Sequence, residues 1–287
     1  MNKSIRGSSM QKSYIQGIIA LVVNIVFFLI VNSRVHLVML NDDVYLAAFF
    51  NGAFAERSAY TPYVNYVLSL LLDCIYALSH NNYPCFSLFL IVALIMSFSL
   101  ISRICMKKFG TLRGISLTVV LLSLYAFDAY CCITYTTVSF FASVAGISGL
   151  FLAWEEGIES NEKNKSKTIY ILPVALALTG FMLRSASFIA VFALLLPIGL
   201  YLTAAFVLRD SVPPLKLKLI QMAKLCIPFA ILLGLAAVVW AIDAEKWSAA
   251  PYNEWIKYND ARTEVYDYTD RVPYDEAPEM YEAIGLS

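Results

Sequence analysis

Two adjacent carboxylates, Asp42 and Asp43, stand in the polar stretch RVHLVMLNDDVYLAAFFNGAFAERSAYTP that follows the first apolar run of the chain. Neighbouring side chains at a helix start point in different directions, so one acid can cap the helix while the other faces a bound molecule. A carboxylate shielded from water by aromatics has a raised pKa and suits a general base toward a hydroxyl. The same pair could instead hold a divalent cation through its oxygens, or simply cap and solvate a loop. Arginines are the complementary candidates. Arg184 interrupts the apolar stretch LTGFMLRSASFIA, where a guanidinium must reach water or pair with an anion. A lipid phosphate fits its forked donor geometry. Arg57 and Arg262 are further phosphate-binding candidates, each in a polar segment where charge needs no special reason. Tyr135, Thr136 and Thr137 open a later apolar run, just after Asp128 and Tyr130. Their hydroxyls could line a sugar-sized cleft or cap a helix.

The elements that must position these groups are apolar. Of 287 residues, 60% are hydrophobic and 15% charged, with a mean hydropathy of +0.68; a soluble domain is about 45–50% apolar and about 25% charged. Apolar segments run over about 15–32, 62–79, 84–102, 115–130, 136–154, 168–183, 187–208 and 225–242. A helix of about 20 residues crosses a bilayer core of roughly 30 Å, and these runs are too long and continuous for the alternating strands of a barrel. The expected fold is all-α, a polytopic transmembrane helical bundle of seven or eight spans. Residues 1–242 form the transmembrane domain, with an extracytoplasmic loop at 33–61. Within that loop, Val44 to Phe54 reads as a short interfacial helix capped by Asn41 or Asp42, its Tyr45, Phe49, Phe50 and Phe54 at headgroup level. The first run follows Lys3, Arg6 and Lys12 and is not followed by a small-x-small cleavage site, so it reads as a retained anchor.

Charge sets the orientation. Basic residues gather in three joints: Arg103, Lys107, Lys108 and Arg113; Lys163, Lys165 and Lys167; and Arg209, Lys216, Lys218 and Lys224. The positive-inside rule places all three in the cytoplasm with the N-terminus. The first three apolar segments break that parity if all of them cross. Either 62–79 dips in and returns or one basic cluster breaks the rule. Asp73 lies within 62–79, and a central acid costs about 2.5–3.5 kcal/mol on insertion scales, which favours a dipping or protein-buried segment. Residues 243–287 hold 11 of the 21 acids and six of the 18 tyrosines, an extracytoplasmic, solvated segment. Its end at Ile284-Gly285-Leu286-Ser287 reads as that of a truncated piece of a longer chain. The zero formal charge leaves no basic field for nucleic acid. The six cysteines form no CxxC pair and only two histidines accompany them, which excludes the usual zinc spacings. Walker A, GxSxG, HExxH and dinucleotide-loop patterns are absent, and Gly146 and Gly149 suit close helix packing.

The order of these features resembles the GT-C class of membrane glycosyltransferases: a first span, an outer loop with acids and membrane-parallel helices, and a Pro-aromatic opening at Pro62-Tyr63. More narrowly, it looks like poorly characterised multispan proteins of Gram-positive bacteria found among cell-surface polysaccharide genes. The matching residues are Asn41, Asp42, Asp43 and Gly52; Tyr135, Thr136 and Thr137; and Tyr258, Asn259, Arg262, Asp267, Tyr268, Gly285, Leu286 and Ser287. The resemblance implies a multi-pass cell-membrane protein that transfers a sugar from a polyprenyl-phosphate donor to a saccharide acceptor at the outer face. Asp42 or Asp43 would be base or metal ligand, and Arg184 or Arg262 would contact the donor phosphate. A transporter or flippase of lipid-linked saccharide, or a non-catalytic envelope-assembly protein, remain the competing expectations.

Overall fold

A computed structural model of the chain describes residues 3–35, 37–39, 42–53, 56–159, 167–208, 214–262, 273–276 and 278–283. The architecture is a bundle of apolar helices, as the hydropathy pattern requires. The helices are α1 (Lys3–Asn32), α2 (Asp42–Asn51), α3 (Tyr66–Leu78), α4 (Cys85–Phe109), α5 (Thr111–Ala126), α6 (Tyr135–Glu159), α7 (Ile171–Leu183), α8 (Ser185–Leu208), α9 (Leu215–Ser248), α10 (Tyr252–Arg262) and α11 (Pro278–Ala283). A π-helical turn, Phe127–Cys131, continues α5, and the only extended pairing among the described residues is parallel, Val38–Met39 against Cys132–Ile133. The chain divides into two units, Met1–Ala237 and Val238–Ser287.

Among the described residues, α1, α4, α5, α6, α8 and α9 are long and apolar enough to cross a membrane. The chain is a multi-pass membrane protein by that measure. α6 is its centre: 67% of its most apolar stretch is buried, against 17% in α1 and in α8. Small residues make this possible. A Cβ on Gly146 would collide with Ala177 and Pro173, and one on Gly180 would sit 2.8 Å from the Ser139 carbonyl oxygen, so α6 and α7 pack backbone to backbone.

Hydrogen bonds fix which helix ends lie together. Arg103 donates to Ser13 and to Glu156, and Gln16 donates to the Met106 carbonyl, so the starts of α1 and α5 and the ends of α4 and α6 share one end, here the basic end. The opposite end gathers the start of α6, the end of α7 and the Val38–Met39 pairing; here it is the Asp43 end. α7 is 13 residues long, preceded by a 3-10 turn, Lys167–Tyr170. It runs beside α6 from Ala153, which accepts from the Tyr170 hydroxyl at 3.5 Å, to Ser139, which donates to the Gly180 carbonyl at 2.7 Å. It therefore runs beside α6 to the Asp43 end, as a shorter apolar helix added to the six of spanning length among the described residues.

α3 does not cross. It is as short as α7, at 13 residues, but unlike α7 both of its ends are held at the Asp43 end. The Asn65 N–H before it donates to the Met182 carbonyl at 2.9 Å, and Tyr76 near its end accepts from the Phe86 N–H at 3.0 Å at the start of α4. Removing the 62–79 segment from the crossings restores the parity that the basic clusters demand. Two other expectations need correction. Arg103, Lys107, Lys108 and Arg113 fill no loop: α4 and α5 run through them, joined at Gly110 alone, whose φ of +84° only glycine adopts readily. The short helix after the first span is α2, and its aromatics are not all at a surface. Phe50 is buried, stacked on Tyr76 with 7° between the rings, because Asp43, Leu46 and Phe50 form one inward stripe. Asn41, Phe54, Lys163, Lys165, Arg209, Asp267, Tyr268 and residues 284–287 lie outside the described residues.

Candidate functional site

Asp43 is 2% exposed, and its Oδ1 accepts the Tyr135 backbone N–H at 2.7 Å. That N–H is among the four donors that the start of α6 leaves without an intrahelical partner. Thr134 takes another, its Oγ1 accepting the Thr137 N–H at 3.1 Å. The central helix is thus capped jointly by its own threonine and by an acid 92 positions earlier in the chain, which pins α2 against α6. Burial raises the Asp43 carboxyl to about 6 against the opposing pull of the Tyr135 N–H, and the charge of Asp42 adds to the rise. Asp42 itself is exposed in the first turn of α2. The two acids do divide their tasks, with Asp43 capping a different helix from its own.

Tyr135 and Thr136 carry the chain of contacts to Arg184. The Arg184 Cζ lies 5.9 Å from the centroid of the Tyr135 ring, within the range of a cation–π contact. Its Nη1 donates to Thr136 Oγ1 at 2.6 Å. Arg184 occupies the break between α7 and α8 in an extended conformation. Its N–H donates to the Gly180 carbonyl at 3.1 Å, and its own carbonyl accepts the Phe188 N–H at 3.2 Å as α8 begins. The side chain is exposed and, among the described residues, has no ion pair. Tyr63 completes the cluster. Its ring stacks on Tyr135 with centroids 6.3 Å apart and 18° between planes.

Asp43, Tyr135, Thr136 and Arg184 are therefore brought together at one end of the bundle, with Asp42 beside them. Arg57 is not part of the group. Its Nε lies 3.6 Å from Asp73 Oδ1 and its Nη1 donates to Asn81 Oδ1 at 3.1 Å, so it ties the loop after α2 to α3 and sets a countercharge beside the acid of that apolar helix. Arg262 ends α10 in the second unit, and its side chain lies outside the described residues. Sequence reasoning had no role for Ser139, which braces the α7–α8 break, or for the Tyr63 ring on Tyr135; nothing local in the sequence marks either contact. No group of three or more His, Cys, Asp or Glu is placed to hold a metal ion among the described residues. With Asp43 Oδ1 engaged by a backbone N–H, the described residues offer a divalent cation here at most Asp42 and the second oxygen of Asp43, short of the roughly six to eight oxygens of a protein-built calcium site.

Chemically, the cluster offers an exposed carboxylate, an exposed guanidinium, a threonine hydroxyl and an aromatic ledge at the rim of an apolar bundle. Comparison with protein-family models, with curated proteins and with solved structures finds nothing that matches the chain.

Proposed function

We propose that the chain is an integral cell-membrane glycosyltransferase-like protein that takes a sugar from a polyprenyl-phosphate donor at the Asp43 end of the bundle. The observation that carries this reading is the convergence of Asp43, Tyr135, Thr136 and Arg184 beside Asp42. A lipid-linked donor buries its chain in the bilayer and presents its phosphate at the rim, where the Arg184 fork can hold two of its oxygens. Asp42 is the exposed acid and takes the role of base: it receives the proton of the acceptor hydroxyl as that oxygen attacks the sugar carbon. The bond from that carbon to the donor phosphate breaks, and Arg184 holds the charge of the departing polyprenyl phosphate. Asp43 positions Tyr135 and α6. The positive-inside rule puts this end outside the cytoplasm.

The test is transfer of a labelled sugar from a polyprenyl-phosphate donor by the full chain in proteoliposomes. Asp42→Asn is expected to lose roughly a hundredfold or more in rate, the usual contribution of a positioned base. Unchanged transfer by Asp42→Asn removes that role. Movement of lipid-linked saccharide across the vesicle with no transfer would replace the reading with that of a flippase.

A further inference from the structure

We infer that the exposed part of the Tyr63 ring is a stacking platform for a saccharide ring, in the cluster around Tyr135 that also holds Arg184; this rests on the transferase reading of the same site. Tyr63 is 45% exposed, yet its ring is not free: it lies nearly parallel to Tyr135, which is 5% exposed. The ring is steadied by a fixed aromatic neighbour while nearly half of the residue stays exposed. The C–H face of a sugar meets an aromatic face favourably because that face carries the negative part of the ring quadrupole. Hydroxyls around the same sugar would find the donors of Arg184, the hydroxyl of Thr136 and the carboxylate of Asp42.

Tyr63 also adopts a φ of +68°, a left-handed conformation that a bulky residue rarely takes. The loop around it enforces this. Thr61 is fully buried and hydrogen-bonded to Ser69, Val64 is 3% exposed, and Asn65 is held through its N–H to Met182 and through its Oδ1 to the Val67 N–H. Anchors on both sides over-determine the strained residue. A tyrosine serving only as a membrane-interface anchor needs no backing ring and no such backbone. Tyr14 and Tyr201, on the outer surfaces of α1 and α8, are 70% and 72% exposed and show what an unbacked ring looks like.

The experiment measures saturation-transfer NMR from the full chain in nanodiscs to the methyl glycosides of glucose, galactose and rhamnose, with no donor present. Native protein and Tyr63→Phe are expected to give signal on the C–H protons of at least one glycoside. Tyr63→Gly should bind that glycoside roughly tenfold more weakly, the worth of one aromatic contact, while its Tm stays level or rises because glycine accepts the left-handed φ. Tyr63→Asn, a second residue that tolerates this backbone, should match Tyr63→Gly. Equal affinity in Tyr63→Gly and native protein, or no signal from the native protein, overturns the platform. Glycoside binding that needs Tyr63 in a protein without transferase activity would keep the platform and remove the transferase. Transfer activity whose acceptor affinity ignores Tyr63→Gly would do the reverse.

Discussion

At the basic end of the bundle Arg103 donates to both Glu156 oxygens at 3.0 and 3.1 Å, and Lys108 reaches Glu155 at 2.7 Å. At the Asp43 end, the buried acid faces a backbone N–H, while the nearby arginine side chain meets, among the described residues, a ring and a hydroxyl. Charges at the first end satisfy one another and clamp α1, α4 and α6 together. At the second, Arg57 pairs with Asp73 of α3, while Asp42, Asp43 and Arg184 are held in place with no ion pair among the described residues, which leaves them able to interact with something else. Helix ends of one bundle thus serve two purposes, and the pattern of pairing separates structure from site.

The largest expected effect comes from the acid that is buried without a cation. With the Asp43 carboxyl at about 6 in the fold and about 3.9 when unfolded, the folded chain binds more protons between those values. The contribution of this carboxyl to stability is therefore fullest below about pH 4, is lost as pH rises through about 6, and is level above it. The total change is about 3 kcal/mol, from roughly two pKa units at 1.36 kcal/mol each. Asp43→Asn keeps an acceptor for the Tyr135 N–H and should abolish this slope in thermal unfolding in detergent between pH 4 and 7. A slope that persists in Asp43→Asn would mean that burial of this charge is not what distinguishes the two ends.

A smaller effect is expected at the paired end. Glu156→Gln leaves Arg103 without its countercharge and should cost about 2 kcal/mol, less than the roughly 3–5 kcal/mol of a fully buried broken pair, because the Arg103 side chain is 24% exposed and can hydrate. Adding Arg103→Met should recover part of the loss. Denaturation midpoints of the two variants check this, and a neutral Glu156→Gln would show that the pairing clamps nothing.

Much of the fold was legible in the sequence because apolar runs of bilayer length have few other uses. α4 begins at Cys85 and α6 at Tyr135, each within a residue of where hydropathy places it. What local pattern could not supply were partners far along the chain. Arg103 and Lys108 read as loop residues until Glu155 and Glu156 appear beside them, and their helices then run on to Gly110. The non-crossing α3 was betrayed by the parity of the basic clusters and by Asp73, whose partner Arg57 lies 16 residues upstream in a polar segment. Asp42, Asp43, Tyr135, Thr136 and Arg184 were all singled out by residue type, yet the division of labour between the acids depends on a contact spanning 92 positions. The Tyr63 backbone has no sequence signal at all, since a left-handed φ is expected at Gly, Asn or Asp.

The most direct measurement compares the two ends with one ligand: binding of a polyprenyl phosphate to the full chain in nanodiscs, followed by native mass spectrometry. Arg184→Gln should weaken binding at least about tenfold, the loss of a charge-assisted phosphate contact, with little change in Tm. Glu156→Gln should lower the Tm and leave the affinity of the folded protein as it was. Equal binding by Arg184→Gln and native protein, or a loss of affinity confined to Glu156→Gln, would contradict the assignment of the site to the Asp43 end.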